Sequence, residues 1–386
     1  MSGQTPPSIG AEGATATLPG SAALPLPDAR GPLPGADGLR RMPPDLPEPP
    51  PDEGLSFAGR AVDDGPFRPV PALVEEVARR HPERTAVCYG GRTLSYSQLD
   101  QMANGIAAAA AGRGVGQGDR VATLLVNSLE MPAAYLAMMK LGAVFVPLDP
   151  AWPGERLETT LRVLSPRLIL CADPGQAPAQ YRRASLPVAA GAVAASPVPP
   201  AVALGPADPC YGFFTSGTTG VPKCALNRHG GLANRLRFMT RWFGATGDDV
   251  VLQNSKHTFD SSLWQLLWPL ITGGRTVLPA AGEFLNLQLT IDTIAEHQVT
   301  TTDFVSSIFN ALVAMVDGNE PAVRKLASLR YLIVGSEEIN ARAVQRMRAM
   351  LPGLAITNGY GPTETSIGMV FHLEIGEHTS ELQSPC

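Results

Sequence analysis

A chain of 386 residues, with 44% hydrophobic and 17% charged residues, is long enough for two or more cores and has the balance of a globular protein. Its net charge of −5 offers no basic face for nucleic acid, and no apolar run reaches the length that spans a bilayer. The five cysteines (Cys88, Cys171, Cys210, Cys224, Cys386) are scattered without a C-x-x-C pair, which argues against a structural zinc site or a disulfide framework and fits a reducing, cytoplasmic setting.

Residues 1–66 are rich in Pro, Gly and Ala and carry no sustained apolar period. Such a segment cannot bury enough surface to offset its ordering entropy, so it reads as a disordered leader or the tail of an upstream linker. It lacks the basic-then-apolar layout of a signal peptide. Folded structure is expected from Phe67 onward. Leu73, Val74, Val77 and Ala78 recur at helical spacing, and His81-Pro82 closes that helix. Residues 85–89 read as a strand, Gly90-Gly91 as a turn, and 93–95 as the returning strand of a hairpin. A helix follows from Tyr96 to Gly112. Strand 120–126, helix 130–141 and strand 143–149 read as a βαβ unit, hence a parallel sheet. Residues 168–171 add a strand, and the Pro/Ala-rich stretch 174–206 reads as loop.

The stretch Tyr211-Gly-Phe-Phe-Thr-Ser-Gly-Thr-Thr-Gly-Val-Pro-Lys223 organises the rest. An aromatic strand end runs into small residues and closes on Pro-Lys. Gly217 and Gly220 let the backbone approach a ligand, and consecutive N–H groups of such a loop form an anion nest. Thr215, Ser216, Thr218 and Thr219 add hydroxyls, and Lys223 adds a point charge suited to phosphate. The run is a phosphate cradle by composition but not a Walker A loop, whose Gly-Lys-[Ser/Thr] ending is absent. A plain Ser/Thr/Gly linker is the competing reading.

The run from Asn227 to Asn234 is expected to start a helix, with His229 as a structural anchor. Strand 250–253 precedes Phe259-Asp-Ser-Ser262, which opens a helix whose Leu263, Leu266, Leu267 and Leu270 form a buried stripe. Asp260 or Ser261 can cap that helix, and Trp264 lies one turn from Asp260 on the same face. Strands are expected at 275–278 and 301–305, around a helix over 287–297. Strand 329–334 ends at Gly335-Ser-Glu-Glu-Ile339, and strand 354–357 leads into Asn358-Gly-Tyr-Gly-Pro-Thr-Glu-Thr365. Tyr360 offers a flat face for a purine, and Gly361-Pro362 turns the chain to present Thr363 and Glu364. A lone carboxylate beside nucleotide phosphates suits Mg²⁺, which keeps several waters and takes one or two carboxylates.

Thr215-Ser-Gly-Thr-Thr-Gly-Val-Pro-Lys223 and Asn358-Gly-Tyr-Gly-Pro-Thr-Glu-Thr365 together resemble the adenylate-forming superfamily: acyl-CoA synthetases, luciferases and nonribosomal peptide synthetase adenylation domains. Leu94-Ser-Tyr-Ser-Gln-Leu99 and Lys140-Leu-Gly-Ala-Val-Phe-Val-Pro-Leu-Asp149 resemble its opening motifs. The resemblance covers 67–386 and implies an α/β fold: the family's large N-terminal domain, with layered, mainly parallel sheets flanked by helices. It implies ATP and Mg²⁺ as cofactors. Lys223 and the loop donors would hold the outer phosphates, Thr363 would sit near the α-phosphate, and Glu364 would take the metal. Gly335, Ser336, Glu337, Asn358, Gly359 and Tyr360 would hold the nucleotide.

Phe259-Asp-Ser-Ser262 and the run from Asn227 to Asn234 resemble the amino-acid-activating branch. There Asp260 would pair with a substrate ammonium. The matching pocket would be Phe259, Asp260, Ser261, Trp264, Ser307, Leu332, Val334, Gly359, Ile367 and Gly368. That lining has no second charge, so an uncharged amino acid is expected. Cys224 departs from the family's glycine. No stretch matches the family's small C-terminal domain, so the resemblance implies that subdomain and a phosphopantetheine carrier protein in trans or in a longer chain. An MbtH-like accessory protein is a further implied partner. The rival readings are an acyl- or aryl-CoA ligase relative, and a degenerate protein that binds nucleotide or a partner without turnover.

Overall fold

The computed structural model describes residues 65–189, 191–215, 222–280 and 286–374. The expected leader, 1–66, lies outside the described residues apart from Gly65 and Pro66.

Helix α1 (Val70–Arg80) buries Val70, Val74 and Val77. β1 (Thr85–Tyr89) and β2 (Arg92–Ser95) pair antiparallel, and Gly90 and Gly91 supply the positive φ of a tight hairpin turn. α2 (Tyr96–Gly112) starts at a capping box: Ser95 Oγ accepts from the Gln98 amide, and Gln98 Oε1 from the Ser95 amide. Next come β3 (Arg120–Leu124), α3 (Glu130–Lys140), β4 (Val144–Pro147), α4 (Gly154–Leu164), β5 (Leu168–Cys171), β6 (Ser185–Pro187) and β7 (Pro209–Thr215). β8 (Lys223–Arg228) leads directly into α5 (His229–Trp242). The remainder is β9 (Val250–Leu252), α6 (Ser261–Thr272), β10 (Arg275–Leu278), α7 (Leu287–His297), β11 (Thr301–Val305), α8 (Ser306–Val316), α9 (Glu320–Lys325), β12 (Tyr331–Gly335), α10 (Ala341–Met350), β13 (Ala355–Tyr360) and β14 (Val370–Glu374).

The strands form a six-stranded sheet, ordered β6-β5-β3-β4-β7-β8, and an eight-stranded sheet, ordered β14-β13-β12-β11-β9-β10-β1-β2. Pairing is parallel except at the edge hairpins β7–β8, β1–β2 and β13–β14. The expected layered, mainly parallel α/β fold is present. The largest apolar cluster draws on α1, α2, α3, α5 and α6 and on residues of both sheets, such as Phe145 and Val251. A second cluster packs α7, α8 and α10 against the eight-stranded sheet, and a third packs α4 against the six-stranded sheet.

Three local expectations are corrected. β6 interrupts the stretch expected to be loop. Residues 223–228 form an edge strand before the helix starts, because pairing with β7 satisfies one side of a segment whose own apolar pattern is weak. Residues 358–360 belong to β13 rather than to the loop beyond it.

Candidate active site

The phosphate-type loop is the tip of the β7–β8 hairpin. Thr215 lies opposite Lys223, so the two ends of the loop are held one strand spacing apart. Ser216, Gly217, Thr218, Thr219 and Gly220 lie outside the described residues. Lys223 opens β8 and is exposed, with no ion pair among the described residues. Side chains alternate along a strand, so Lys223, Ala225 and Asn227 share one face. Cys224 lies on the other face, packed against the cluster that contains Val146 and Leu148, and burial pushes its thiol up to about 11.

Asn227 ties this hairpin to the other sheet. Its Nδ2 donates to the Thr363 carbonyl at 2.9 Å, and its Oδ1 accepts from Ser366 Oγ at 3.0 Å. Gly231, at the start of α5, makes room for this, since a Cβ there would stand 2.3 Å from Ser366 Oγ. Lys223 is four residues up β8 from that junction, about 13 Å at the usual strand rise. Thr363, Glu364 and Thr365 form a short 3₁₀ turn, and Glu364 is exposed without a hydrogen bond or ion pair among the described residues.

Gly335 ends β12 beside Gly359 of β13, and a Cβ at Gly335 would stand 2.2 Å from the Gly359 carbonyl oxygen. Ser336 then adopts a left-handed φ of 70°. Asn358 is buried, while Gly359 and Tyr360 are half-buried at the strand end. Glu337 turns to α8: its carboxylate accepts from the Ser307 amide at 3.1 Å and its carbonyl from Ser306 Oγ at 3.0 Å. Glu337, expected on the nucleotide, and Ser307, expected in the substrate pocket, are therefore hydrogen-bonded to each other, with Ser307 exposed.

Asp260 occupies the position before α6 in a right-handed helical conformation, and its side chain makes no N-cap hydrogen bond. Its Oδ2 is buried without a hydrogen-bond partner. Burial pushes the carboxyl up to about 6; the Thr363 hydroxyl and the Ser261 amide oppose that rise, and Glu364 adds to it. The carboxyl thus stands where the loop after β13 meets the start of α6. Behind it, Ser261 Oγ donates to Ser255 Oγ at 2.8 Å, and Ser255 Oγ donates to Asp303 Oδ1 at 3.0 Å. Gln265 also donates to Asp303, whose carboxyl is likewise pushed up to about 6 by burial. Sequence reasoning missed Asp303; an acid inside the otherwise apolar and β-branched strand 301–305 was the available signal.

The remaining pocket expectations divide. Ile367 is buried at a left-handed φ of 78° beside Gly368, in the same loop as Thr363. Phe259 is 64% exposed at the start of the segment. Trp264 is 1% exposed; its ring packs against Trp268, and its side chain hydrogen-bonds the Asp303 carboxyl behind Asp260. Leu332 and Val334 are fully buried in the cluster under α8 and α10. Ile333 faces the other way, and a Cβ at Gly359 would stand 3.0 Å from Ile333 Cγ2. Ile333, not Leu332 or Val334, is the β12 side chain beside Gly359.

A buried charge outside the expected pocket set lies beside one of its members, Gly368. Arg235 of α5 is 5% exposed, and its Nε and Nη1 have no hydrogen-bond partner. Its Cζ lies 3.9 Å from the Phe371 ring centroid, and a Cβ at Gly368 would stand 3.2 Å from its Cζ and Nη2. Burial lowers its pKa to about 9, which leaves it charged at neutral pH, and the negative charge of Asp260 acts to raise it. The signal in sequence was a cation between Leu232, Leu236 and Met239 on the buried stripe of α5. His229 is fully buried with neither ring nitrogen bonded, and burial lowers its pKa to about 4, so it is neutral.

Residues 74–385 match the family of AMP-binding enzymes. The chain belongs to that family. Among curated relatives it is 30% identical over 317 residues to enterobactin synthase component F of Escherichia coli, covering 81% of this chain and 24% of that protein. It is also 30% identical over 324 residues to bacitracin synthase 3 of Bacillus licheniformis, covering 83% of this chain and 5% of that protein. Among solved structures it resembles the AMPPNP-bound form of the nonribosomal peptide synthetase FmoA3, with a TM-score of 0.73 and 28% identity over 79% of this chain and 32% of that one. The NpsA N-terminal subdomain of Klebsiella oxytoca superposes with a TM-score of 0.69 and 25% identity, covering 79% of this chain and 77% of that one. AMP-binding family members of this kind are AMP-forming ligases, and the homologues place the chain with peptide-synthetase adenylation domains. Among the described residues no helix is long and apolar enough to cross a membrane.

Proposed function

We propose that the chain is the nucleotide- and substrate-binding core of an amino-acid-activating, AMP-forming ligase serving nonribosomal peptide or related secondary-metabolite synthesis. One observation carries this reading. Asp260 holds a buried, unpartnered carboxylate oxygen at the junction with Thr363, where the nucleotide loop is expected. A buried carboxylate needs a cationic partner to stay charged, and a substrate ammonium supplies one.

In the proposed reaction a substrate carboxylate oxygen attacks the α-phosphorus of ATP. The bond from that phosphorus to the oxygen bridging to the β-phosphate breaks, and pyrophosphate leaves with the electron pair. The chain's part is positioning and charge placement. Asp260 fixes the ammonium and so orients the neighbouring carboxylate. Lys223, Thr215 and the loop donors Ser216, Gly217, Thr218, Thr219 and Gly220 hold the outer phosphates. Thr363 stands near the α-phosphate, Tyr360 and Asn358 beside the purine, and Gly335 and Ser336 along its edge. Glu364, exposed and unpaired among the described residues, is the free carboxylate that would hold Mg²⁺. Bound Mg²⁺ would neutralise charge on the phosphate oxygens.

The chain spans 24% of enterobactin synthase component F and 5% of bacitracin synthase 3, so further modules belong to this reading. They are a C-terminal adenylation subdomain and a phosphopantetheine carrier, in trans or in a longer chain, with an MbtH-like protein as accessory.

The test is ATP–pyrophosphate exchange across the amino acids, or substrate binding where exchange is slow, with wild type and Asp260→Ala. Amino acids should lose far more on the substitution than matching acids without the amine. Equal losses, or a wild type that prefers fatty or aryl acids, would return Asp260 to a structural role and favour the acyl- or aryl-ligase reading. A chain that binds MgATP but neither binds nor exchanges any acid would favour the degenerate one.

A further inference from the structure

Arg235 is a buried cation that the proposed chemistry does not use. Its guanidinium occupies the space left by the missing side chain of Gly368 and lies over the Phe371 ring, with Cζ 3.9 Å from the centroid. Contact with an aromatic face offsets part of the burial of a cation. It provides no acceptor for Nε and Nη1, which stay unbonded. A purely packing role would be met better by leucine, which surrounds this position on α5 as Leu232 and Leu236. Arg235 forms no ion pair with Asp260, and Asp260 Oδ2 and Arg235 Nε and Nη1 are all buried without a hydrogen-bond partner, so each leaves bonding capacity for a third group.

We propose that Arg235 receives a carboxylate on the substrate side chain, so that the pocket selects an acidic α-amino acid. This inference rests on the amino-acid reading of Asp260 and deepens it. The logic follows from three demands on one small molecule. Its ammonium must meet Asp260. Its α-carboxylate must stay free to attack phosphorus on the Thr363 side. The group that answers a buried guanidinium must therefore sit on the side chain, and a planar, anionic double acceptor matches the planar fork of arginine. Gly368, in the loop that carries Thr363, lets the guanidinium come this close, since a Cβ there would stand 3.2 Å from its Cζ and Nη2.

The experiment measures the affinity of the wild-type chain for four stable adenylate mimics: the aspartyl, asparaginyl, glutamyl and glutaminyl sulfamoyl-adenosines. Unacylated sulfamoyl-adenosine serves as the baseline. At least one acidic mimic should bind about tenfold to a hundredfold more tightly than its amide, the difference expected of a charge-assisted contact. Arg235→Met should erase that preference while leaving the amide affinities near their wild-type values. Arg235→Lys should weaken it without reversing it. Melting temperatures of each variant identify loss of fold; if Arg235→Met does not fold, the wild-type ranking and Arg235→Lys decide. Amides that bind the wild type as well as or better than the acids overturn the inference, as does an acid preference that survives Arg235→Met. In that case amino-acid mimics still bind above baseline, and the Asp260 reading stands. If no acylated mimic exceeds the baseline, both fall together.

Discussion

Asn227 on β8 and Thr363 beyond β13 are joined by a hydrogen bond of 2.9 Å from side-chain amide to backbone carbonyl, which links an edge strand of one sheet to the loop leaving the other. The same amide accepts from Ser366 at 3.0 Å. Both ends of a buried side chain are thus spent on the loop that carries Thr363 and Glu364. Asn227→Ala should lower folding stability by about 1–3 kcal/mol, since it leaves a carbonyl and a hydroxyl without their partner. It should also weaken MgATP binding, because the loop loses its tether. Denaturant unfolding and nucleotide titration check both; unchanged values would mean the junction is incidental.

The Asp260 carboxyl is pushed from an ordinary 3.8 to about 6, so the folded state holds its proton more tightly than the unfolded state. The stability tied to this group is then fully present below about pH 4 and is lost as pH rises through about 6. Asp303 titrates in the same window, so the effect is read as the difference between wild type and Asp260→Asn. Substrate binding runs the other way, because an ammonium pairs with the ionised form. Amino-acid affinity should rise by about tenfold per pH unit up to about pH 6 and then level off. Calorimetric titration against pH should show that slope in wild type and a flat profile in Asp260→Asn.

Lys223 is exposed and makes no ion pair among the described residues, so its charge is available to a ligand. Lys223→Ala should weaken MgATP binding by about 1.5–3 kcal/mol, as for a hydrogen bond to a charged group, and leave AMP nearly unaffected. Equal losses for the two nucleotides would move the lysine away from the outer phosphates.

Gly335→Ala would drive a methyl group into the Gly359 carbonyl oxygen, 2.2 Å away. The strand ends must part to admit it, at about 1–3 kcal/mol of stability. A nucleotide held by the segment after β12 should bind more weakly in proportion. A melting curve that matches wild type would show that β12 and β13 have slack at this point.

Much of the fold was legible because strand and helix periods are local. Residues 85–89, 96–112, 168–171, 275–278, 287–297 and 301–305 form the elements their patterns predict. The family was legible because two long runs, at 215–223 and 358–365, carry unusual residue types in a fixed order. Position within the site was not. A strand presents two faces with equal claims, and only its register against a neighbour says which one meets a given residue. That is why Ile333, rather than Leu332 or Val334, stands beside Gly359. A charge on a helix likewise reads as solvated until the packing around it is known; Arg235 lies against Phe238 on its own helix and against Gly368 and Phe371 from a distant part of the chain. The sequence by itself determined the elements, the fold class and the family, all carried by short-range patterns. The tertiary structure alone decided which side chains meet at the site and around the buried Arg235, because that depends on contacts between segments separated by tens to more than a hundred residues.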